Sequence, residues 1–114
     1  FVLHERLEIL ENETTAVISL SKKDLEKFKY KVGDTEGFVN MPLSIEGIRM
    51  SVFFREEQDG IKVSVRSKGE VPANKLASEL FGGGGHLNAA GGEFKGTLEE
   101  AVKKVKQNIS NYIN

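Results

Sequence analysis

Apolar and polar side chains alternate most regularly in two neighbouring stretches of the chain. Ile48-Arg49-Met50-Ser51-Val52-Phe53-Phe54 is followed by Ile61-Lys62-Val63-Ser64-Val65-Arg66, with the turn-forming pair Asp59-Gly60 between them. The pair predicts an antiparallel hairpin with Ile61, Val63 and Val65 on one face and Lys62, Ser64 and Arg66 on the other. Thr14 to Leu20 is rich in β-formers and carries no charge, which predicts a strand covered on both sides. Glu11-Asn12-Glu13 before it predicts a turn back to Glu8–Leu10. The apolar positions Val2, Leu3, Leu7 and Leu10 give residues 1–10 a second reading as a short linker helix.

Helical spacing takes over elsewhere. Ser21-x-x-Asp24 resembles an N-cap, and Leu25, Phe28 and Val32 follow on one side. Asp34 or Thr35 opens a second short helix through Phe38, Val39 and Met41, which Pro42 ends or kinks. Pro72-Ala73-Asn74 leads into a helix carrying Leu76, Ala77, Leu80 and Phe81 on one side. Gly92-Glu93-Phe94-Lys95 predicts a short last strand. Thr97-Leu98-Glu99-Glu100 is a capping box, and Leu98, Ala101, Val102, Val105, Ile109, Tyr112 and Ile113 form an amphipathic stripe behind it. The fold class is α+β: a small mixed, mainly antiparallel sheet with helices packed on it and a capped C-terminal helix. Residues 1–114 read as one domain, without internal repeat or low-complexity tract.

Composition narrows the chemistry. A chain of 114 residues that is 39% hydrophobic has room for one modest core, and a net charge of −1 gives no bulk attraction to long nucleic acid. The absence of cysteine removes disulfides, thiolate catalysis and zinc–thiolate sites, and makes a cytoplasmic location the simplest reading. No apolar stretch approaches the ~20 residues of a membrane span. His4 and His86 are the only histidines, and neither has an Asp/Glu/His cluster at ligand spacing around it. The chain opens on Phe1-Val2-Leu3, which suggests a domain taken from a longer polypeptide.

The richest candidate for function is Phe81-Gly82-Gly83-Gly84-Gly85-His86-Leu87-Asn88-Ala89-Ala90-Gly91-Gly92, six of whose twelve residues are glycine. One glycine would serve as a helix C-cap. Four in a row exceed that need and cost backbone entropy, which points to a ligand-facing loop whose N–H groups cradle an anion. Lys-Ser/Thr does not follow at Walker spacing, and the run leaves a helix rather than a strand, so neither nucleotide fingerprint fits. His86 at the rim can stack or donate a hydrogen bond. Arg66 lies on the polar face of its strand with Ser64 and Lys62, and a guanidinium is the preferred bidentate partner of phosphate. Arg49 and Arg55 could join it. The lysines of residues 22–31 and 103–106 are interleaved with acids and read as solvated helix faces.

Gly82-Gly83-Gly84-Gly85-His86-x-Asn88-Ala89-Ala90-Gly91, preceded by Val65-Arg66-Ser67 and followed by the capped helix, resembles the DHH-associated C-terminal domain, subfamily one. That domain is the substrate-binding half of DHH-type phosphoesterases. Asp34 to Asn40, Val52 to Glu56 and Ile61 to Ser67 are similar to the bacterial nano-RNase branch, which degrades very short oligoribonucleotides and dephosphorylates 3′-phosphoadenosine 5′-phosphate (pAp). The resemblance implies substrate contacts from Arg66, Ser67, Gly82, Gly83, Gly84, Gly85 and His86. Asn88 would hold the loop or reach the ligand, and Asn74 would cap the preceding helix or touch the ligand. It implies two manganese ions in a separate N-terminal domain bearing Asp and His ligands. The Asp-His-His signature of that domain is absent here, so neither a catalytic residue nor a metal ligand is expected in this chain, and none of it is expected to hydrolyse substrate alone. Its expected partners are short RNA or nucleotide phosphates and the N-terminal domain of the same polypeptide, with a homodimer a further option for the full-length enzyme. Rival readings are a cyclic-di-AMP phosphodiesterase, a single-strand DNA exonuclease, or a non-catalytic module like that ending alanyl-tRNA synthetases.

Overall fold

The computed structural model describes residues 6–31 and 39–113, with backbone only for 28–31. Six strands form one sheet: β1 (Leu7–Ile9), β2 (Thr15–Leu20), β3 (Met50–Glu57), β4 (Gly60–Ser67), β5 (Gly84–His86) and β6 (Ala89–Phe94). Their spatial order is β1-β2-β3-β4-β6-β5, antiparallel at every pair except β2–β3, which runs parallel. Among the described residues the sheet is joined by α1 (Lys22–Lys31), α2 (Ala73–Phe81) and α3 (Leu98–Asn108). Among the described residues no helix is long and apolar enough to cross a membrane.

The expected α+β architecture is present. Its central hairpin is β3–β4, in which Glu57 pairs with Gly60 across Gln58 and Asp59. The turn therefore sits one residue earlier than Asp59-Gly60 suggested. Residues 7–9 pair with β2 as the hairpin reading required, whereas Phe1, Val2, Leu3 and His4 lie outside the described residues. Most of the helix expected from Asp34 or Thr35, and Val32 with it, also lies outside them. Val39 and Asn40 are helical, and the α-helix gives way at Met41 to a 3₁₀ turn, Met41–Ser44, near whose start Pro42 sits without needing an N–H.

Period-two alternation builds a core on each face of the sheet. On one face Val17, Met50, Val52, Phe54, Ile61, Val63 and Val65 pack against Leu76, Ala77 and Phe81 of α2 and Ala101 and Val105 of α3. The Phe81 ring meets Phe54 edge-on at 5.5 Å and Phe94 at 6.1 Å. Burying each ring contributes about 2–3 kcal/mol. Lys104 lies over both Phe81 and Phe94, 6.0 and 5.6 Å from their centres, so this lysine is more than a solvated charge. On the other face Ile18, Leu20 and Phe53 pack against Leu25 and Val39. That second core lies over β2 and β3. Over β4, β6 and β5 the same face carries Lys62, Ser64, Arg66 and His86, none of them buried.

Local chemistry fixes the helix starts. Thr97 and Glu100 form the expected capping box: Thr97 Oγ1 accepts the Glu100 N–H at 3.0 Å and Glu100 Oε1 accepts the Thr97 N–H at 2.8 Å. At α1, Ser21 Oγ accepts the Asp24 N–H at 3.1 Å, and Asp24 Oδ2 accepts the Ser21 N–H at 3.2 Å. Asp24 is also gripped by Arg6, whose Nη2 and Nε donate at 2.9 and 3.2 Å. This side-chain hydrogen bond from Arg6 holds the buried Asp24 carboxyl below the usual carboxylate range, and the Ser21 bonds act in the same sense.

A carboxyl whose pKa is depressed on folding adds stability above its unfolded pKa of about 4 and loses that contribution as pH falls through the lower folded value. Asp24→Asn should therefore unfold about 1 kcal/mol more easily than the parent at pH 7. The gap should narrow as pH falls below about 4 and close once the carboxyl is protonated in the folded state too. Urea denaturation of both proteins across this range checks it, and a gap that stays constant with pH contradicts it.

Candidate functional site

β4 carries the first half of the site. Its burial alternates without a break from Gly60 to Ser67, so Lys62, Ser64 and Arg66 project away from the core of Ile61, Val63 and Val65. The second half arrives from the glycine run. Gly82 takes a left-handed conformation (φ 61°) that ends α2, and the Gly83 N–H turns back to the Ala77 carbonyl at 3.0 Å. The chain then enters β5, so residues 84–86 form an edge strand rather than the open loop their composition suggested.

That strand forms because β6 offers a surface with almost no side chains. A Cβ on Gly83 would lie 1.9 Å from the Gly91 carbonyl oxygen, and one on Gly92 would lie 2.7 Å from that of Phe81. Backbone therefore packs on backbone at both places, a spacing no other residue allows.

Strand register brings Arg66 and His86 together. Arg66 pairs with Ala89, and Ala89 pairs with His86. All three side chains project from the same face. With strands about 4.8 Å apart, the Arg66 and His86 Cα atoms are about 10 Å apart across a single methyl. Arg66 is half-buried and braced by its own sheet, its Nη1 donating to the carbonyls of Val65 at 3.0 Å and Ala90 at 3.3 Å. His86 is exposed. One row along, Ser64 pairs with Gly91 and Gly91 with Gly84. In the next row Lys62 pairs with Glu93, and their side chains form an ion pair that holds the Glu93 carboxyl low and the Lys62 ammonium high.

Ser67 and Asn88 sit elsewhere. Ser67 follows the core parity of β4 and is 6% exposed. Its Oγ donates to the Val71 carbonyl at 2.6 Å, with the Leu87 carbonyl at 3.3 Å, and accepts from Asn88 Nδ2 at 2.9 Å. Asn88 Nδ2 also reaches the Gly69 carbonyl at 3.0 Å, the Ser67 N–H donates to the Asn88 carbonyl at 3.0 Å, and the Ala73 N–H donates to that of Leu87 at 2.8 Å. Together these bonds clamp the β5–β6 turn to the segment between β4 and α2. Asn74 lies inside the first turn of α2, where its Oδ1 accepts the Lys75 N–H at 2.9 Å, while Pro72 occupies the N-cap position. Arg55 falls in the row of Lys62, two rows from His86, and is 3.7 Å from Glu57. Arg49 precedes β3 and is exposed.

Sequence reasoning missed the Gly84–Gly91–Ser64 row and the Lys62–Glu93 pair. Both depend on the register of β4 against β6, which alternation alone does not give. The parity of Ser67 with Ile61, Val63 and Val65 is the sequence signal that places it on the core face.

The model of the DHHA1 domain matches residues 10–112. The bifunctional oligoribonuclease and PAP phosphatase NrnA of Thermus thermophilus is 43% identical over 77 residues, covering 67% of this chain and 24% of that protein. Its Bacillus subtilis counterpart is 39% identical over 89 residues, covering 78% of this chain and 28% of that protein. The crystal structure of an exopolyphosphatase-related protein from Bacteroides fragilis superposes with a TM-score of 0.86 at 50% identity, covering 96% of this chain and 32% of that one. The chain thus spans roughly a quarter to a third of the length of these proteins. A match over almost its whole length, supported by the shared fold and sequence, shows that the chain belongs to the DHHA1 domain family.

Proposed function

We propose that this chain is the substrate-binding part of a longer DHH-family phosphoesterase that hydrolyses short oligoribonucleotides and pAp. The observation that carries the reading is the row Arg66–Ala89–His86, which presents a guanidinium and an imidazole side by side on an unburied sheet face. A guanidinium offers paired donors to a phosphate, and an imidazole adds a donor or a stacking ring. The names of the Thermus and Bacillus relatives, each an oligoribonuclease and PAP phosphatase, support the substrate class.

Each site residue has a role in this reading. Arg66 and His86 contact the terminal phosphate or nucleotide, and the run Gly82 to Gly85 carries His86 to its place. Ser67 and Asn88 hold the turn beneath it. A site that grips one end of the ligand at a fixed distance from the reacting phosphate selects short substrates, because the end must be reached. Among the described residues no three His, Asp or Glu side chains gather to hold a metal ion. In this reading the manganese ions are held by the separate Asp- and His-bearing domain, which carries hydrolysis, and this chain alone binds without cleaving. A cytoplasmic location and a homodimeric full-length enzyme belong to the same reading.

Calorimetry on this chain tests the assignment. Arg66→Ala and His86→Ala should each weaken pAp binding at least about tenfold, the loss of one charge-assisted or desolvated hydrogen bond, with the circular dichroism spectrum unchanged. Parent-like affinity in both variants overturns it. Cyclic-di-AMP binding tighter than pAp would move the chain to the cyclic-dinucleotide branch instead. Affinity should also fall only shallowly with salt, as for a ligand of two phosphates; the steep slope of a tRNA-sized contact would favour the non-catalytic module.

A further inference from the structure

One row of side chains crosses all six strands of the sheet. Ile9 lies opposite Ala16, Ala16 beside Ser51, Ser51 opposite Arg66, Arg66 opposite Ala89 and Ala89 opposite His86. Paired residues share a face, so Ser51 stands on the face of Arg66 and His86. Along the row Ala16 and Ser51 are fully buried, Arg66 is half-buried and His86 is exposed. Ser51 is therefore the last dry position before the candidate site.

The Ser51 hydroxyl is sealed from solvent and has no hydrogen-bond partner in the protein. A buried hydroxyl in that condition lowers stability, and most such groups in native proteins are bonded. Ser67 shows the contrast, with its hydroxyl donating to Val71 and accepting from Asn88. Nothing in the core calls for a polar group at Ser51, since its neighbours on that face, Ala16 and Phe53, are apolar.

Directly across the ladder stands Arg66. Paired Cβ atoms lie about 5 Å apart, so the arginine side chain can bring an N–H to Ser51 Oγ, whose lone pairs accept. In the observed pose Nη1 donates instead to the carbonyls of Val65 at 3.0 Å and Ala90 at 3.3 Å, between β4 and β6. A guanidinium has five donors in one plane. Aiming one of them at Ser51 leaves an edge with paired donors for a phosphate.

Resting on the phosphate-binding role given to Arg66 above, we infer that Ser51 is a positioning residue for Arg66: when the guanidinium turns to meet a phosphate, the Ser51 hydroxyl accepts one of its N–H groups and holds the remaining pair toward the ligand. A ligand favours one pose over another only through interactions the two poses do not share. The hydroxyl supplies such an interaction, unused in one pose and bonded in the other. Its burial lowers stability while it waits for that bond.

Ser51→Ala tests this, alone and combined with Arg66→Ala or with His86→Ala. The probe is pAp, affinity is read by calorimetry and chemical-shift titration, and stability by thermal melting. Ser51→Ala alone should melt at or above the parent temperature, because an unpartnered hydroxyl is removed. It should nevertheless bind pAp about five- to tenfold more weakly, the loss of one hydrogen bond to a charged group. In the Arg66→Ala background the same substitution should change affinity by less than about twofold, whereas beside His86→Ala it should keep its full effect. Parent-like pAp affinity in Ser51→Ala overturns the inference. A lowered melting temperature does so too, since the hydroxyl would then have a structural partner already. Equal loss of affinity in both backgrounds also overturns it, because the effect would not pass through Arg66. If Arg66→Ala itself binds pAp like the parent, the phosphate-binding reading fails and takes the inference with it. That result is distinct from a silent Ser51→Ala in a protein that Arg66→Ala impairs.

Discussion

The distance between two backbones decides how this domain is built. Where Gly83 passes the Gly91 carbonyl there is no room for a Cβ, and the same holds where Gly92 passes Phe81. These contacts let the end of α2 and the whole of β5 settle onto β6. They also bury the Phe81 ring between Phe54 and Phe94. If the glycines carried side chains, β5 would stand off the sheet and His86 would leave the row it shares with Arg66. Packing density at this one place is therefore a condition for the candidate site, although none of the atoms in contact belongs to a functional side chain.

How much of this was legible depended on how local each signal was. The β3–β4 hairpin, the Thr97–Glu100 box and the helix stop at Gly82 each rest on residues a few positions apart, and all three stood in the sequence. The parallel pairing of β2 with β3 did not, because 29 or more residues separate the strands and no periodicity encodes which neighbour a strand takes. β5 was illegible for another reason. Gly-Gly-His has no strand propensity of its own, and it becomes a strand only because β6 is already there with glycines at matching places. At the candidate site, composition treated the four glycines as one cradle. Only their surroundings, a carbonyl at 1.9 Å for Gly83 and empty space for Gly84, tell them apart.

The hydrogen-bonded clamp beneath the turn gives the polar residues a different logic from the charged ones. Ser67 and Asn88 are neighbours of Arg66 and His86 in sequence but lie behind them in space, where their polar groups satisfy one another and the carbonyls of Gly69, Val71 and Leu87. A buried hydroxyl with its donor and acceptor both used fixes position without offering anything to solvent. On β4 the half-buried Arg66 and the fixed, buried Ser67 are thus adjacent residues of opposite parity.

That parity runs the full length of β4. Ile61, Val63, Val65 and Ser67 face the core, while Lys62, Ser64 and Arg66 face the opposite side. Substitutions in the second set can therefore change the charge and shape of that face while the packing of the first set stays as it is. The strand is two surfaces written in alternate residues, and either can be rewritten without unfolding the other.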